Sequence, residues 1–71
     1  MQDGGTTIWT VVKDGHEIAC QARLTPYGID IDIHRDSALV VTRTFETDDE
    51  ALAWANKKRD EREAQGWRSK G

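Results

Sequence analysis

The chain has very little cysteine and very little proline, one residue of each in 71. The single cysteine, Cys20, cannot form an internal disulfide, which excludes a small secreted scaffold held together by disulfides. One cysteine and two histidines also offer too few ligands for a zinc knuckle. A lone thiol is typical of a reducing compartment, so we expect a cytoplasmic protein.

Long apolar runs are missing as well. No stretch approaches the roughly 20 apolar residues that a membrane-spanning helix needs, and no positively charged start leads into a hydrophobic segment. We therefore expect a soluble protein with no membrane partner. Hydrophobic residues make up 37% of the chain and charged residues 32%, a balance that favours one small ordered domain, residues 1–71. A core this small needs good packing or a second copy of the chain.

Catalytic, metal-binding and cofactor motifs are not recognisable either. The one cluster of chemistry-bearing residues is Asp30-x-Asp32-x-His34, on one face of a predicted strand. Alternate strand residues lie about 6.6 to 7 Å apart, which is wide for one ion unless Glu17 and Gln21 on a neighbouring strand also contribute. We interpret the cluster as a solvated polar face, and we expect no enzymatic activity, no metal and no cofactor.

Four segments predict an antiparallel β meander over residues 6–45. Asp14-Gly15 favours a type I′ hairpin, because both central residues of that turn need a positive φ. The register of this hairpin places Trp9 opposite Cys20, and the next turn, 25–28, continues the pattern with Leu24 opposite Ile29. The predicted core face carries Trp9, Val11, Ile18, Cys20, Ala22, Leu24, Ile29, Ile31 and Ile33.

The fourth strand, 38–45, fits two registers. One buries Leu39, Val41 and Phe45 together with Arg43, and the other buries Val40, Thr42 and Thr44. We favour Phe45 inside, with Arg43 reaching out at a sheet edge or with a bulge that shifts the face.

The segment 47–66 predicts a helix. Thr47 as N-cap and Glu50 three residues later form a capping box, and Gly66 is the expected residue just past the end. The predicted apolar face consists of Ala51, Leu52, Trp54 and Ala55. With a flexible lead-in over 1–5 and a tail over 68–71, the sequence predicts an α+β fold in which the helix covers one sheet face.

The sheet face opposite the helix is the favoured candidate for function. It is expected to be more apolar than a solvated face requires, which indicates a protein partner or self-association. The candidate residues are Ile8, Thr10, Val12, Ala19 and Gln21. Pairing of the first strand's edge across a two-fold axis is another route. We therefore predict a non-enzymatic interaction or regulatory module.

A basic strip on the helix supplies the alternative, which is nucleic-acid binding. The net charge of −3 is divided unevenly, with −6 over residues 1–56 and +3 over 57–71. The strip consists of Lys57, Lys58, Arg59 and Arg62. The competing interpretation is an exposed helix face with ion pairs at i, i+4, Lys57–Glu61 and Arg59–Glu63. Acidic residues on the open sheet face disfavour nucleic acid.

The motif order is similar to that of some bacterial proteins. The chain carries W-x-V-x-K-D-G, L-x-P-Y-G-I-x-I, F-x-T-x-x-E-A-L-x-W-A and a final G-W. This layout resembles short bacterial proteins of unknown function that have a β meander and a capped helix ending in Gly-Trp. The helix entry T-x-x-E-A-L is also similar to that of HicB-type antitoxins, whose other hallmarks are not evident here. The resemblance implies a fold and no activity.

Overall fold

The computed structural model describes residues 5–70 and confirms the α+β class. Its elements are β1 (Thr6–Lys13), β2 (His16–Thr25), β3 (Gly28–Arg35), β4 (Ala38–Phe45), α1 (Asp48–Ala64) and β5 (Arg68–Ser69). The five strands form one antiparallel sheet in the order β4-β3-β2-β1-β5. Helix α1 packs against β1, β3 and β4 on one face. Apart from Gly5, the predicted lead-in lies outside the described residues.

Turn chemistry fixes the strand registers that the sequence predicts. Asp14 and Gly15 have φ values of 51° and 81°, so this turn has the positive φ at both central residues that a type I′ hairpin needs. The predicted cross-strand pairs are all present: Lys13 with His16, Val11 with Ile18, Trp9 with Cys20, Leu24 with Ile29, Ala22 with Ile31 and Cys20 with Ile33. One sheet face is therefore apolar from β1 to β3.

The core lies between this apolar face and α1. Its buried members are Trp9, Val11, Ile18, Cys20, Ile29, Ile31, Ile33, Ala51 and Ala55. The buried residues of α1 are both alanines, and their small side chains let the helix backbone approach the sheet. Burial of each large aliphatic or aromatic side chain contributes about 1.5 to 3 kcal/mol, so the strands supply most of the hydrophobic stabilisation.

Thr47 and Gly66 cap α1 as predicted, but only one of the two hydrogen bonds of the predicted capping box is present among the described residues. The Thr47 hydroxyl accepts a hydrogen bond from the Glu50 N–H at 3.2 Å. At the other end, the Trp67 N–H donates to the Arg62 carbonyl and the Gly66 N–H donates to the Glu63 carbonyl, both at 3.0 Å. This pair of bonds is a Schellman motif, and Gly66 has the positive φ of 99° that the motif requires.

Two predicted core residues are exposed instead. Leu24, at the margin of the sheet beside the β2–β3 turn, is 85% exposed and lines a depression together with Asp48, the first residue of α1. Leu52 is 46% exposed, because the buried stripe of the helix runs through Ala51 and Ala55, and one residue along a helix turns a side chain by about 100°.

Strand β4 follows the favoured register only in its second half. Phe45 pairs with Ile29 and Val41 with Ile33, so both lie on the helix side, but Phe45 is only half-buried and Val41, which was expected to be buried, is 42% exposed. A bulge then makes Val40 an extra residue and places Leu39 opposite His34, on the face away from the helix. The prediction that Leu39 is buried was therefore wrong.

The C-terminal segment is not a free tail. Arg68 pairs with Val12 and Ser69 with Val11, and the Lys70 N–H donates to the Thr10 carbonyl at 2.8 Å. Strand β5 therefore covers part of the β1 edge that was expected to be available for pairing. Across the part of the chain that the structure describes, β4 is the long strand left at a sheet edge.

Candidate interaction surface

Four of the five residues of the predicted partner face lie together on the sheet. Thr10 pairs with Ala19, and Val12 pairs with Glu17, so these residues share the face away from α1, together with Gln21. Ile8 does not join them. A β-bulge between Thr7 and Trp9 makes Ile8 the extra residue, and its half-buried side chain packs against the core.

A shallow polar depression of about 540 Å³ lies on this face. Its lining consists of Gly15, Glu17, Ala19, Gln21, His34, Asp36 and Ser37. Ala19 is the one hydrophobic residue of the set, so the depression lacks the apolar centre that is typical of a protein interface.

The Asp30 and Asp32 carboxylates are engaged in a ladder across three strands. Arg23 on β2 donates from Nε to Asp32 at 2.6 Å and from a terminal nitrogen to Asp30 at 3.2 Å. On the other side, the Thr42 hydroxyl donates to Asp32 at 2.9 Å and the Thr44 hydroxyl donates to Asp30 at 2.6 Å. These hydrogen bonds join β2, β3 and β4, so the two carboxylates have a structural role. Within residues 5–70, no group of three acidic, histidine or cysteine side chains is arranged to hold a metal ion.

The charge state of Asp32 follows from these contacts. Its hydrogen bond from Arg23 lowers the pKa of the carboxyl below the usual value, although burial acts in the opposite direction. The same contact raises the pKa of Arg23. Both groups are therefore charged at neutral pH.

Asp36 has a structural role at the end of the sheet. Its carboxylate accepts the Glu17 N–H at 2.9 Å and lies 2.8 Å from Nδ1 of His16. These contacts lower the pKa of Asp36, the one with His16 having the larger effect. Asp36 and Ser37 both have positive φ, 51° and 75°, so the β3–β4 turn resembles the Asp14-Gly15 turn without a glycine.

The predicted basic strip is not one surface. Lys58 lies over the Trp54 ring and pairs with Glu61 at 3.5 Å, while the Arg59 guanidinium is 3.9 Å from Asp60. The i, i+4 pairs expected for Lys57 and Arg59 do not form. Arg62 faces the sheet instead, next to β4.

The longest run of exposed large hydrophobic residues in the described part of the chain lies on β4, which the predicted partner face did not include. Leu39, Val40 and Val41 are 58%, 56% and 42% exposed. Because β4 is the last strand of the sheet, its outer N–H and C=O groups have no strand to pair with among the described residues. The signal that was available in the sequence is the run 38–42, which has no charge and no proline.

Two depressions lie between β4 and α1 on the helix side of the sheet, and we call them together the β4–α1 groove. Its first half is a depression of about 550 Å³ lined by Arg43, Thr44, Phe45, Glu46, Glu50, Ala53, Trp54 and Lys57. Its second half, of about 400 Å³, is lined by Ile18, Ile33, Arg35, Val40, Val41, Arg62, Gln65 and Trp67. The groove therefore combines an apolar floor with four bases and two acids on its walls.

Cations cover the aromatic rings along the groove. The Arg43 guanidinium lies 5.6 Å from the Phe45 ring centroid and 5.9 Å from that of Trp54. Arg35 lies 5.9 Å from the Trp67 centroid. These distances are typical of cation–π contacts. Trp54 and Trp67 are both half-buried and pack against the core, so each contributes to the fold and to the groove wall.

Comparison with known proteins adds no relative. A scan against protein families, a search of curated proteins and a search of solved structures each found no match to this chain. The resemblance to short bacterial proteins therefore stays a prediction. None of the described residues forms a helix long and apolar enough to cross a membrane.

Proposed function

We propose that this protein is a small non-enzymatic interaction module that binds a protein partner through its sheet, with β4 as the contact strand. The observation that carries the proposal is the unpaired edge of β4 with its three exposed apolar residues, Leu39, Val40 and Val41. An extended segment of a partner can add to such an edge through main-chain hydrogen bonds, with side-chain pockets supplying specificity.

The sequence of β4 supports this role. Proteins usually protect a free edge strand with lysine, proline or inward-pointing charges. Residues 38–45 contain no lysine and no proline, and Arg43 is their one charged residue. Two protective features are present, the bulge at Val40 and the helix-side charge of Arg43, and both leave the outer main-chain groups from Val41 to Phe45 free.

The open sheet face supports the proposal less well. Its centre is occupied by the Arg23–Asp32 ladder, and the candidate residues Thr10, Val12, Ala19 and Gln21 are each half-buried between neighbours. We therefore place the partner contact at the edge of β4 rather than on this face.

Affinity capture with matched variants tests the proposal. Wild-type protein immobilised on beads is compared with Val40→Lys, which adds a protective charge to the β4 edge, and with Gln21→Lys, which adds the same charge to the open face. We expect a protein retained by the wild type and by Gln21→Lys to be lost with Val40→Lys. Equal capture by all three, or loss with Gln21→Lys alone, would refute a β4 contact.

Nucleic-acid binding is the second candidate. The observation that favours it is the gathering of Arg35, Arg43, Lys57 and Arg62 around one groove with two tryptophans. A labelled single-stranded oligonucleotide titrated at low ionic strength tests it, because phosphate contacts make affinity fall steeply with salt. Binding without a salt dependence, or no binding, removes this candidate.

A further inference from the structure

We infer that the partner contributes an extended acidic segment, which pairs with the edge of β4 and places its carboxylates against the bases of the β4–α1 groove. The inference rests on the proposed function and specifies the chemistry of the partner. It follows from three features of the groove: bases without an ion-pair partner, the spacing of these bases, and aromatic rings that are already contacted by cations.

The bases of the groove have no carboxylate partner of their own. Within residues 5–70, ion pairs shorter than 4.0 Å involve other bases, among them Arg23, Lys58 and Lys70. The bases without such a pair include Arg35, Arg43, Lys57 and Arg62, all in the groove. Asp36, the acid next to Arg35 in the chain, lies near enough to interact with the Arg35 charge, but its hydrogen bonds are made with His16 and Glu17.

The acids within the groove are confined to one place. Glu46 and Glu50 line the first half, near the start of α1. The second half has no acidic lining residue and holds Arg35 and Arg62 above an apolar floor. An incoming carboxylate therefore meets two bases and no lining acid in the second half, and Arg43 with Lys57 provides a further basic position in the first.

The spacing of these positions matches an extended chain. Arg43 lies over Trp54, and Arg62 follows Trp54 by eight residues of α1, an axial rise of about 12 Å at about 1.5 Å per residue. In a strand, residues four apart lie on the same face and are separated by about 13 Å. We therefore expect acidic residues at positions i and i+4 of the bound segment. The residue between them, i+2, is then apolar and contacts Val41, and residue i+4 lies past the regular stretch of β4, at the bulge that contains Val40.

A second copy of this chain does not fit this site as well. If two β4 strands paired across a two-fold axis, each would present Val41, Arg43 and Phe45 to the partner's groove. That arrangement adds a cation to a basic groove, and residues 38–45 supply no acid to offset it. Like charges placed together across an interface disfavour the pairing.

Nucleic acid also fits less well. Single-stranded nucleic acid binds to free aromatic faces on which bases stack. Here the Trp54 ring is contacted by Arg43 and Lys58, and the Trp67 ring is contacted by Arg35. The free edge of β4 in turn offers main-chain groups that pair with a peptide and have no counterpart in a nucleic acid.

Synthetic heptapeptides test the inference. The probe is acetyl-Thr-Glu-Thr-Val-Thr-Glu-Thr-amide, which has acids at i and i+4 and valine at i+2. A control of the same composition, acetyl-Thr-Glu-Val-Thr-Glu-Thr-Thr-amide, has its acids three apart and therefore on opposite faces. A third peptide repeats the probe with N-methyl groups on alternate residues, which removes the main-chain donors needed for strand pairing.

Protein variants locate the binding site. Arg43→Gln and Arg62→Gln each remove one charge from the groove, and Arg68→Gln removes one charge from β5 at the opposite edge of the sheet. We expect each groove variant to weaken probe binding about fivefold, equivalent to about 1 kcal/mol, and Arg68→Gln to leave it within about twofold. Circular dichroism confirms that each variant is folded.

The outcomes separate the inference from the proposed function. Tighter binding of the probe than of either control peptide, together with the two groove effects, supports the inference. Equal binding of all peptides, equal effects of all three variants, or β4-dependent dimers by sedimentation would overturn it. The inference would also be overturned if single-stranded oligothymidylate displaced the probe and the protein did not discriminate between the three peptides.

If a partner is captured through β4 but the probe does not bind, the acidic chemistry is wrong and the proposed function stands. If Val40→Lys captures as the wild type does, the proposed function itself fails.

Discussion

Trp9 donates its indole N–H to the main-chain carbonyl oxygen of Ala55, with 2.9 Å between nitrogen and oxygen. The bond joins residues 46 positions apart and ties β1 to the middle of α1 in the core. Trp9 is 6% exposed and Ala55 is fully buried, so water cannot replace this contact. Strand and helix are therefore held in one relative position by a directional bond as well as by packing.

Replacing Trp9 by phenylalanine tests this connection. Trp9→Phe removes the donor and part of the ring, and we expect it to lower the free energy of unfolding by about 1 to 3 kcal/mol. Urea titration followed by circular dichroism measures the change. Tyr27→Phe is the control, because Tyr27 is 85% exposed, and it should change stability by less than about 0.5 kcal/mol. Equal effects of the two substitutions would contradict a structural role for the bond.

Gly28 is required for two independent reasons. Its φ is 142°, and a Cβ at this position would clash with the carbonyl oxygen of Phe45 at the end of β4. Gly28→Ala should therefore destabilise the fold by about 2 to 4 kcal/mol. Gly15→Ala is the matched control, because Gly15 also has positive φ but a Cβ there meets no atom within 4 Å. Its cost should be about 1 kcal/mol. Thermal unfolding of both variants decides the point, and similar melting temperatures would refute the close approach.

Local signals explain why the meander could be predicted from the sequence. The Asp14-Gly15 turn fixes a two-residue hairpin, and a shift by one residue would exchange the two faces of every following strand. Because Ile29, Ile31 and Ile33 alternate without interruption, the same face remains apolar through β3. The helix caps are similarly local, since Thr47 and Gly66 act on main-chain groups within a few residues.

The candidate site could not be predicted in the same way, because it depends on tertiary contacts. Arg35, Arg43 and Arg62 belong to three elements, and no spacing in the chain brings them together. Strand β5 is two polar residues long and pairs with β1 directly after the Schellman motif that ends α1. The bulges that contain Ile8 and Val40 depend on the neighbouring strands, so strict alternation misplaced Ile8 and Leu39.

Ser37 should be a site where a single substitution stabilises the protein. Its φ of 75° lies in the left-handed region, which costs a non-glycine residue about 1 to 2 kcal/mol. Ser37→Gly relieves that cost but adds freedom to the unfolded chain, so we expect a net gain of about 0.5 kcal/mol. Asp36→Gly is the control in the same turn, because it also loses the contacts with His16 and the Glu17 N–H and should destabilise. Denaturant midpoints that move in the same direction for both would contradict the prediction.

Cys20 should report global unfolding. It is fully buried, and burial raises the pKa of its thiol to about 12, with a smaller effect from Asp32. Because the thiolate is the reactive form, native protein at mildly alkaline pH should resist iodoacetamide, and protein in concentrated urea should react at the rate of a free thiol. Mass spectrometry follows the alkylation. Rapid modification of the native protein would mean that the core opens locally around Cys20.

The Arg23–Asp32 pair should make stability depend on pH in the acid range. The Arg23 contact lowers the pKa of Asp32 in the folded protein, so the pair stabilises the fold fully above the ordinary carboxyl value of about 3.9. That contribution is lost as the pH falls through the lower folded pKa. Asp32→Asn should therefore be less stable than the wild type at pH 7, and the difference should shrink below about pH 4. Urea midpoints measured across this range test the sign.

In an Arg23→Gln background, which removes the main cause of the shift in the Asp32 pKa, the effect of Asp32→Asn on stability should vary much less with pH. An unchanged pH dependence in that background would show that the pair is not its source.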